Sequence, residues 1–213
     1  MNFYWYISSQ EVDMLHQNLA KNWWDSFPLK LNLKTPWFDL EGNNTDASAQ
    51  TLKNLPKVIR KIEKKGDLKA FEEIGQEAPL FFGFQGAGVK LIEDDTVLVA
   101  VARQHQVLLL TGATAHLVGG KVESLKLQSS SNTLVKSLKI AWNEPGGIAN
   151  GTVNQIVVEL LRQASDHVFP VVKGIATFTS KLKTDESAFK KLKRPEIESI
   201  IVGSPLYIEQ VAI

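Results

Sequence analysis

Residues that could bind a ligand or transfer a proton cluster in a segment near the middle of the chain. Residues 110–120 read Leu-Thr-Gly-Ala-Thr-Ala-His-Leu-Val-Gly-Gly, so small and hydroxyl side chains follow an apolar run and surround one histidine. A strand that ends in such residues exposes backbone amides, and exposed amides can hold a phosphate or another anion. His116 could donate a hydrogen bond or a proton at the same place. A tight strand-to-helix turn with no ligand is the alternative explanation.

A similar segment lies close to the C-terminus, where residues 200–208 read Ile-Ile-Val-Gly-Ser-Pro-Leu-Tyr-Ile. We therefore expect two strand-end turns, at 112–119 and 203–207, that help to shape a site for a small anionic ligand or a partner protein. The residues predicted for this ligand-binding site are Ser8, Asp13, Thr111, Gly112, His116, Ser204 and Tyr207. The similarity also leaves open a weak internal duplication, with a second unit from about residue 120.

The favoured interpretation is a non-enzymatic sensor or interaction module, because no catalytic signature accompanies these residues. A hydrolase or nuclease that uses His116 with Asp13 or Tyr207 is the alternative, and it requires those side chains to share a pocket within hydrogen-bond reach. The sequence has no Gly-x-Ser-x-Gly motif, no Gly-Lys-Ser/Thr phosphate loop and no Gly-x-Gly-x-x-Gly fingerprint. Its four histidines occur singly, without the spacing of a metal site, so we predict no metal and no cofactor.

A lysine-rich segment, residues 53–69, favours a second alternative, which is RNA or DNA binding. The candidate contact residues are Lys57, Arg60, Lys61 and Lys64. Basic side chains on one helix face attract phosphate groups, although a solvated helix surface has the same composition. The chain has 24 Lys and Arg against 23 Asp and Glu, so it lacks the positive field of a dedicated nucleic-acid coat. Nucleic acid therefore ranks behind a small ligand or a protein partner.

Aromatic side chains are concentrated in the first forty residues, which include Trp23, Trp24 and Trp37. One small helix cannot bury all of them, so they either cover the core or form an interface. We expect a homodimer or another protein partner to bind through these tryptophans.

The composition is typical of an ordinary globular protein. Of the 213 residues 44% are hydrophobic and 22% are charged, and none is cysteine. The absence of cysteine excludes disulfides, thiolate zinc sites, iron–sulfur ligation and a cysteine nucleophile. No apolar run approaches the roughly 20 residues that span a bilayer, and no secretory leader is evident. We expect no membrane association and a cytoplasmic location.

The elements that must position these residues follow from hydrophobic periodicity and capping residues. Three principal helices are predicted, over about Ser9–Ala20, Asn54–Lys65 and Thr152–Ala164, and the second starts late so that Pro56 falls in its first turn. Strands are predicted at 3–8, 29–40, 80–91, 96–103, 106–110, 134–142, 171–182, 198–202 and 206–213, and a short helix or loop at 186–193. The expected fold is α+β, one domain over 1–213 in which the three helices pack on a mainly antiparallel, strongly twisted sheet.

Three segments, taken in chain order, form a recognisable pattern. They are Tyr4-Trp5-Tyr6-Ile7-Ser8 leading to Val12-Asp13-Met14-Leu15, Leu110-Thr111-Gly112-Ala113 leading to His116-Leu117-Val118-Gly119, and Gly203-Ser204-Pro205-Leu206-Tyr207. Together they resemble a bacterial family of domains of unknown function. Glu11 stands where that pattern has a lysine, and residues 17–75 lie outside the resemblance. The family has no assigned activity, so the resemblance implies a bacterial cytoplasmic protein and no particular chemistry.

Overall fold

The computed structural model describes residues 3–17, 49–64, 68–75, 79–93, 96–118, 150–164 and 169–211. The two strands predicted over 29–40 and 134–142 lie outside these residues. Trp23, Trp24 and Trp37 also lie outside them, so the interface expected through these side chains stays a prediction.

The described residues form seven strands and four α-helices. The strands are β1 (Phe3–Ile7), β2 (Lys69–Ala70), β3 (Phe81–Glu93), β4 (Thr96–Arg103), β5 (Gln106–Ala113), β6 (Val171–Lys183) and β7 (Ser199–Gln210). The helices are α1 (Ser9–Gln17), α2 (Ala49–Lys64), α3 (Asn150–Ala164) and α4 (Glu186–Lys191), and single turns of 3-10 helix cover Phe71–Glu73 and Thr114–His116. None of these helices is both long enough and apolar enough to cross a bilayer.

Five of these strands close into a barrel. β3, β4 and β5 form an antiparallel meander, and β5 pairs in parallel with β7. β6 pairs antiparallel with both β7 and β3, so it lies beside the first strand of the meander and completes a Greek key. β1 extends the sheet beside the C-terminal half of β7, and β2 pairs with the start of β3. A five-stranded Greek-key barrel is also the architecture of the OB-fold.

The predicted α+β class and the mainly antiparallel pairing are confirmed, but the sheet is closed rather than open. β3 accounts for the closure, because residues 81–87 pair with β6 and residues 88–93 pair with β4. Gly88 lies at this change of partner, where a Cβ atom would come within 2.5 Å of a Val172 methyl group. Glycine inside a strand allows such a close approach, because it has no side chain to displace. Hydrophobic alternation alone does not show which strand edges meet.

The barrel interior is filled by side chains from all five strands, with further rings closing its ends. The inward cluster consists of Trp5, Tyr6, Phe71, Ile74, Phe82, Phe84, Val97, Val99, Val101, Leu108, Leu110, Val172, Ala176, Ile201 and Ile208. Glycine makes room for the rings: a Cβ atom on Gly203 would lie 3.0 Å from the Phe82 ring, and one on Gly174 would overlap Phe84. A barrel with so few strands holds only side chains. A ligand site must therefore lie where strands end or separate.

The helices pack on the outer face of the barrel in two groups. α3 and α4 cover outward side chains of β3, β4, β5 and β7, among them Leu91, Leu98, Leu109 and Val202. α1 and α2 cover a second area around Ile175 and Leu206. α4 is a fourth helix in a segment for which a short helix or a loop was expected. Asp185 caps it, because its carboxylate accepts hydrogen bonds from the first backbone N–H groups of the helix.

α2 begins at Ala49, five residues before the predicted start at Asn54, and it keeps Pro56 in its interior. Proline was placed in the first turn because its ring removes a donor and disturbs the carbonyl four residues earlier. That carbonyl belongs to Leu52, which is 41% exposed, so water can reach this turn. The first turns are also held by α1, since Thr51 and Asn54 hydrogen-bond to Asp13. Tertiary contacts thus outweigh the local cost of proline.

β7 is one continuous strand of 12 residues, so the turn predicted at 203–207 is wrong. On one edge of β7 the pairing with β5 ends at Gly203 and the pairing with β1 begins at Tyr207, so Pro205 needs no ladder bond on that edge. On the other edge Pro205 is paired with Ala176 of β6, next to a bulge. β5 likewise runs through Gly112, and the turn after it starts at Thr114. The internal duplication stays a prediction, with one of its two turns absent.

Candidate functional site

The candidate site begins with a bulge in β1. Tyr4 pairs with Glu209 and Tyr6 pairs with Ile208, so Trp5 is an extra residue in β1. A bulge allows two successive side chains to face the same side of a sheet. Trp5 and Tyr6 both belong to the inward cluster, where they are 5% and 2% exposed. The bulge therefore places two large aromatic rings at one end of the barrel.

Tyr6 lies against Gly112 near the end of β5. A Cβ atom on Gly112 would be 2.5 Å from the Tyr6 hydroxyl oxygen and 2.7 Å from two of its ring carbons. The hydroxyl also hydrogen-bonds to the backbone of Ala113. His116 packs edge-on against the Tyr6 ring, with the ring centroids 5.6 Å apart. The end of β5 and the turn after it thus surround a single tyrosine.

The turn that carries His116 is fixed against β1 by its backbone. The Val118 N–H donates to the Trp5 carbonyl oxygen at 3.1 Å, and Leu117 forms an antiparallel bridge with Tyr6. Residues 113–118 are all partly exposed. His116 is therefore held at the rim of the barrel, between the buried Tyr6 ring and solvent.

Glu11 is a further polar group of the site, and its charge acts on Tyr6. Ser8 caps α1, since its carbonyl accepts the Val12 N–H at 2.9 Å, and Ser8 and Glu11 have the Ser-x-x-Glu spacing of a capping box. The Ser8 side chain hydrogen-bonds to the Glu11 carboxyl group. The Oε2 atom of Glu11 is enclosed and has no hydrogen-bond partner among the described residues. Leaving a buried polar atom unpaired costs about 1–3 kcal/mol, so most such atoms have a partner.

Burial favours the uncharged form of all three groups. Desolvation raises the pKa of Glu11 to about 8, although the hydrogen bond from Ser8 opposes the shift. Desolvation also raises the pKa of Tyr6 far above its ordinary value, and the nearby Glu11 carboxylate adds to this. The pKa of His116 is lowered, again by desolvation. At neutral pH the site therefore offers a carboxylic acid, a phenol and a neutral imidazole.

We refer to Tyr6, Ser8, Glu11, Gly112 and His116 as the Tyr6 cluster. Three of the seven residues predicted for the ligand site, Ser8, Gly112 and His116, belong to it. The structure thus brings together residues that are far apart in the sequence, because β1, the start of α1 and the end of β5 meet at one rim of the barrel.

Two more predicted residues lie beside this rim but on the other face of the sheet. Thr111 and Ser204 come directly after the last registered pair of β5 and β7, Leu110 with Gly203. That pair faces inward, so the next side chains face outward, where each is 2% exposed. The Ser204 hydroxyl has no hydrogen-bond partner among the described residues.

The structure does not bring Asp13 or Tyr207 to the Tyr6 cluster. The Asp13 carboxylate accepts hydrogen bonds from Thr51 at 3.1 Å and Asn54 at 3.2 Å, which commits it to joining α1 and α2. Tyr207 packs on the outer face in an edge-on contact with Tyr4, whereas His116 touches the inward Tyr6. Desolvation raises the pKa of Tyr207 to about 12. The pairs suggested for a hydrolase or nuclease are therefore not assembled.

Sequence reasoning missed Tyr6 and Glu11 as members of the site. The spacing of Ser8 and Glu11 was a usable signal, because a capping box fixes the glutamate close to the first residue of its helix. No local signal marked Tyr6, since an aromatic residue in a strand is an ordinary core residue. Within the described part of the chain, no group of three or more His, Asp or Glu side chains could hold a metal ion.

Comparison with known protein families matches residues 2–212 to the one described as "Family of unknown function (DUF7019)". The match spans almost the whole chain, which supports the resemblance to a domain of unknown function; a bacterial origin stays a prediction. No curated protein and no solved structure matches the chain.

Proposed function

Because this chain belongs to DUF7019, a family of unknown function, we propose its role from the geometry alone: it reversibly binds a small ligand at the Tyr6 cluster. The proposal rests on one observation. The Oε2 atom of Glu11 is enclosed without a described partner, the charge of Glu11 acts on Tyr6, and the rim residue His116 packs against the Tyr6 ring. A ligand that hydrogen-bonds to Glu11 would remove the cost of that unpaired atom.

Binding is favoured over catalysis because of how His116 is held. A catalytic histidine is normally oriented by a hydrogen bond from its second ring nitrogen, often to a carboxylate. Among the described residues no carboxylate hydrogen-bonds to His116, and the imidazole packs against the ring of Tyr6. An uncharged imidazole at a partly exposed rim is suited to donating to or accepting from a ligand.

Native mass spectrometry of the protein as purified from cells tests this proposal. We expect a stoichiometric small-molecule adduct on the wild-type chain, and loss of most of it in His116→Ala and in Glu11→Gln. His105→Ala is the matched control, because His105 is exposed in the turn before β5, at the opposite end of that strand. Adduct that persists in both cluster variants, or a wild-type chain that carries none, would overturn the proposal.

A second candidate function, binding to a polyanion such as RNA or DNA, is supported by one feature of α2. Lys53, Lys57, Arg60 and Lys64 are spaced by four, three and four residues, so they form a row along the exposed side of the helix. None of them forms an ion pair with a described residue, and Glu63 is the only acidic residue of α2. Lys61, a sequence candidate, is half-buried and lies off this row.

The barrel itself does not favour nucleic acid. OB-folds bind oligonucleotides on the face of their second and third strands. The corresponding strands here are β4 and β5, whose outward side chains Leu98, Ala100 and Leu109 are covered by α3. A polyanion would therefore bind the α2 row rather than the barrel face.

Fluorescence anisotropy with a labelled single-stranded RNA tests the second candidate. We expect affinity to fall steeply with added salt, and the logarithmic salt slope to decrease by about 1 for each residue lost in Lys57→Gln and Lys64→Gln. Lys190→Gln, at an exposed position of α4, is the matched control. Salt-insensitive binding, or equal slopes in all variants, would exclude the α2 row.

A further inference from the structure

Lys90 is a buried lysine on the inward side of β3. It is paired with Val99 of β4, which belongs to the inward cluster, and it is 7% exposed. Its Nζ atom has no hydrogen-bond partner among the described residues. Burying an ammonium group costs several kcal/mol unless a partner compensates for the lost hydration. A lysine in this environment therefore needs an explanation beyond packing.

Trp5 is the only described group that interacts with this ammonium. The Nζ atom of Lys90 lies 4.7 Å from the centroid of the Trp5 ring. Such a contact contributes about 1–2 kcal/mol, which is less than the cost of burying the charge. The Trp5 Nε1 atom donates to Gln210 Oε1 at 3.1 Å, so the amide nitrogen of Gln210 keeps its own donors. Lys90 and Gln210 thus both contact the same indole, Lys90 at its ring face and Gln210 at its N–H group.

The pairing between β3 and β6 ends close to Lys90. Up to Ala87, β3 pairs with β6, whose first residue is Val171. After Gly88, whose N–H still donates to the Pro170 carbonyl oxygen at 3.1 Å, β3 pairs only with β4 among the described strands. Lys90 lies beyond that point, and Trp5 lies on β1, which is not paired with β3. A small molecule could enter the inward face here without opening a strand ladder.

We propose that Lys90 and Gln210 bind the carboxylate group of a small ligand next to Trp5. This inference rests on the ligand-binding function proposed above, because the bulge of β1 places Trp5 next to Tyr6. A ligand group with a single negative charge matches this site, since Lys90 is a single cation. Two other basic residues have partners of their own: Arg103 pairs with Glu72 at 2.8 Å and Lys181 donates to the Ile74 carbonyl at 2.7 Å.

The charge of this site changes with pH, and two groups contribute. Desolvation lowers the pKa of Lys90 to about 8, so the amine loses its charge as the pH rises past that value. Desolvation raises the pKa of Glu11 to about 8, so Glu11 gains a negative charge over the same range. Tyr6 and His116 stay uncharged there, because their pKa values are shifted away from it. Both changes weaken the binding of an anion at high pH. The two titrations are therefore separated by substituting Lys90 and Glu11 one at a time.

Benzoate and benzamide form a pair of probes that differ in charge and hardly in shape. We expect calorimetry at pH 7 to give about tenfold or greater preference for benzoate in the wild-type chain, which is the contribution of one charged hydrogen bond. Lys90→Met should abolish the preference and leave benzamide affinity unchanged. Lys190→Met, at an exposed position of α4, is the matched control and should keep the preference. In Glu11→Gln, benzoate affinity should still fall above about pH 8, because Lys90 still titrates.

Equal affinity for the two probes in the wild-type chain, or an unchanged preference in Lys90→Met, would overturn the inference. The absence of binding by both probes would also overturn it. Failure of the proposed function has a different signature. In that case His116→Ala would leave both affinities as they are, whereas a wrong assignment of Lys90 alone would leave both probes sensitive to His116→Ala. Thermal melting of Lys90→Met confirms that the variant is folded.

Discussion

At the scale of single residues, the Tyr6 cluster depends on close approaches that only particular side chains permit. Gly112 has no side chain where the Tyr6 ring lies, and Tyr6 is 2% exposed, so the ring has no free space into which to move. Glu11 keeps one oxygen enclosed and without a described partner. Gly112 is therefore a structural requirement for the cluster. Glu11 is the group of the cluster whose contribution to stability should depend on pH.

Gly112→Ala should destabilise the protein by about 1–3 kcal/mol, because the new methyl group would force the buried Tyr6 ring from its position. Urea unfolding followed by circular dichroism measures the change. Gly151→Ala is the control: nothing lies within 4 Å of a Cβ atom at this exposed helical position, so the variant should be as stable as the wild type or more so. Equal stability of Gly112→Ala and the wild type would contradict the contact with Tyr6.

Glu11 should make the protein less stable as the pH rises from about 4.3, the ordinary pKa of a glutamate, to about 8. In this range folded Glu11 keeps its proton while the unfolded chain has released it, so the folded state binds more protons. The free energy of unfolding then falls with pH, by at most about 1.4 kcal/mol per pH unit, and its contribution levels off above the folded pKa.

Urea unfolding of Glu11→Gln and the wild type at several pH values measures this contribution as a difference. The variant should gain stability relative to the wild type across the range and keep a constant advantage above it. Glu186→Gln, at an exposed position of α4, should show no such trend. A constant difference between Glu11→Gln and the wild type would show that the Glu11 carboxyl is ordinarily hydrated.

At the scale of elements, α1 links the candidate site to the rest of the outer layer. Glu11 and Asp13 are two residues apart on a helix, so their side chains point about 200° apart around its axis. Glu11 hydrogen-bonds to Ser8 and its charge acts on Tyr6, whereas Asp13 hydrogen-bonds to Thr51 and Asn54 of α2. α2 thus positions α1, and α1 positions Glu11, although α2 contributes no residue to the cluster.

Asp13→Ala should cost about 1–3 kcal/mol of stability, because Asn54, which is 4% exposed, loses a charged hydrogen-bond acceptor. Chemical unfolding measures the loss, and hydrogen exchange should show faster opening of α1 and α2 than of the barrel strands. Gln10→Ala is the control, since Gln10 is exposed on the same helix. Exchange that accelerates equally in β4 would contradict a local role for this contact.

At the scale of the whole molecule, closure of the barrel is what creates the site. Among the described strands, β1 pairs only with the C-terminal half of β7. The turn after β5 in turn pairs with β1. β6 completes the wall between β7 and β3, and Gly174 of β6 and Gly203 of β7 admit the aromatic rings of the interior. A defect in closure should therefore disturb the Tyr6 cluster without touching it directly.

Gly174→Ala tests this dependence. A Cβ atom at Gly174 would overlap the Tyr207 carbonyl oxygen and the Phe84 ring, so β6 cannot keep both its register with β7 and its place over the interior. We expect a loss of about 3 kcal/mol or more and a broadened, less cooperative melting transition. Gly75→Ala is the control, because nothing lies within 4 Å of a Cβ atom there. An unchanged melting curve for Gly174→Ala would mean that the barrel tolerates a break in the pairing between β6 and β7.

The sequence by itself determined the elements, because hydrophobic periodicity and capping residues act over a few neighbours. The helix at 150–164, the three strands between 81 and 113 and the capping residue Ser8 could all be predicted in this way. The same local rules failed at Pro56 and Pro205. Each proline is accommodated by something distant: the packing of α1 on α2 in the first case, and a change of strand partner in the second.

Only the tertiary structure decided that the sheet is a closed barrel and that Tyr6, Glu11 and His116 form one site. Pairing between strands is set by contacts across more than a hundred residues, as between β1 and β7, and no local pattern encodes them. The same applies to Lys90, whose position in β3 is an ordinary strand position until closure buries it beside Trp5. Residue types limited the chemistry available to this chain, and barrel closure selected which of those residues meet.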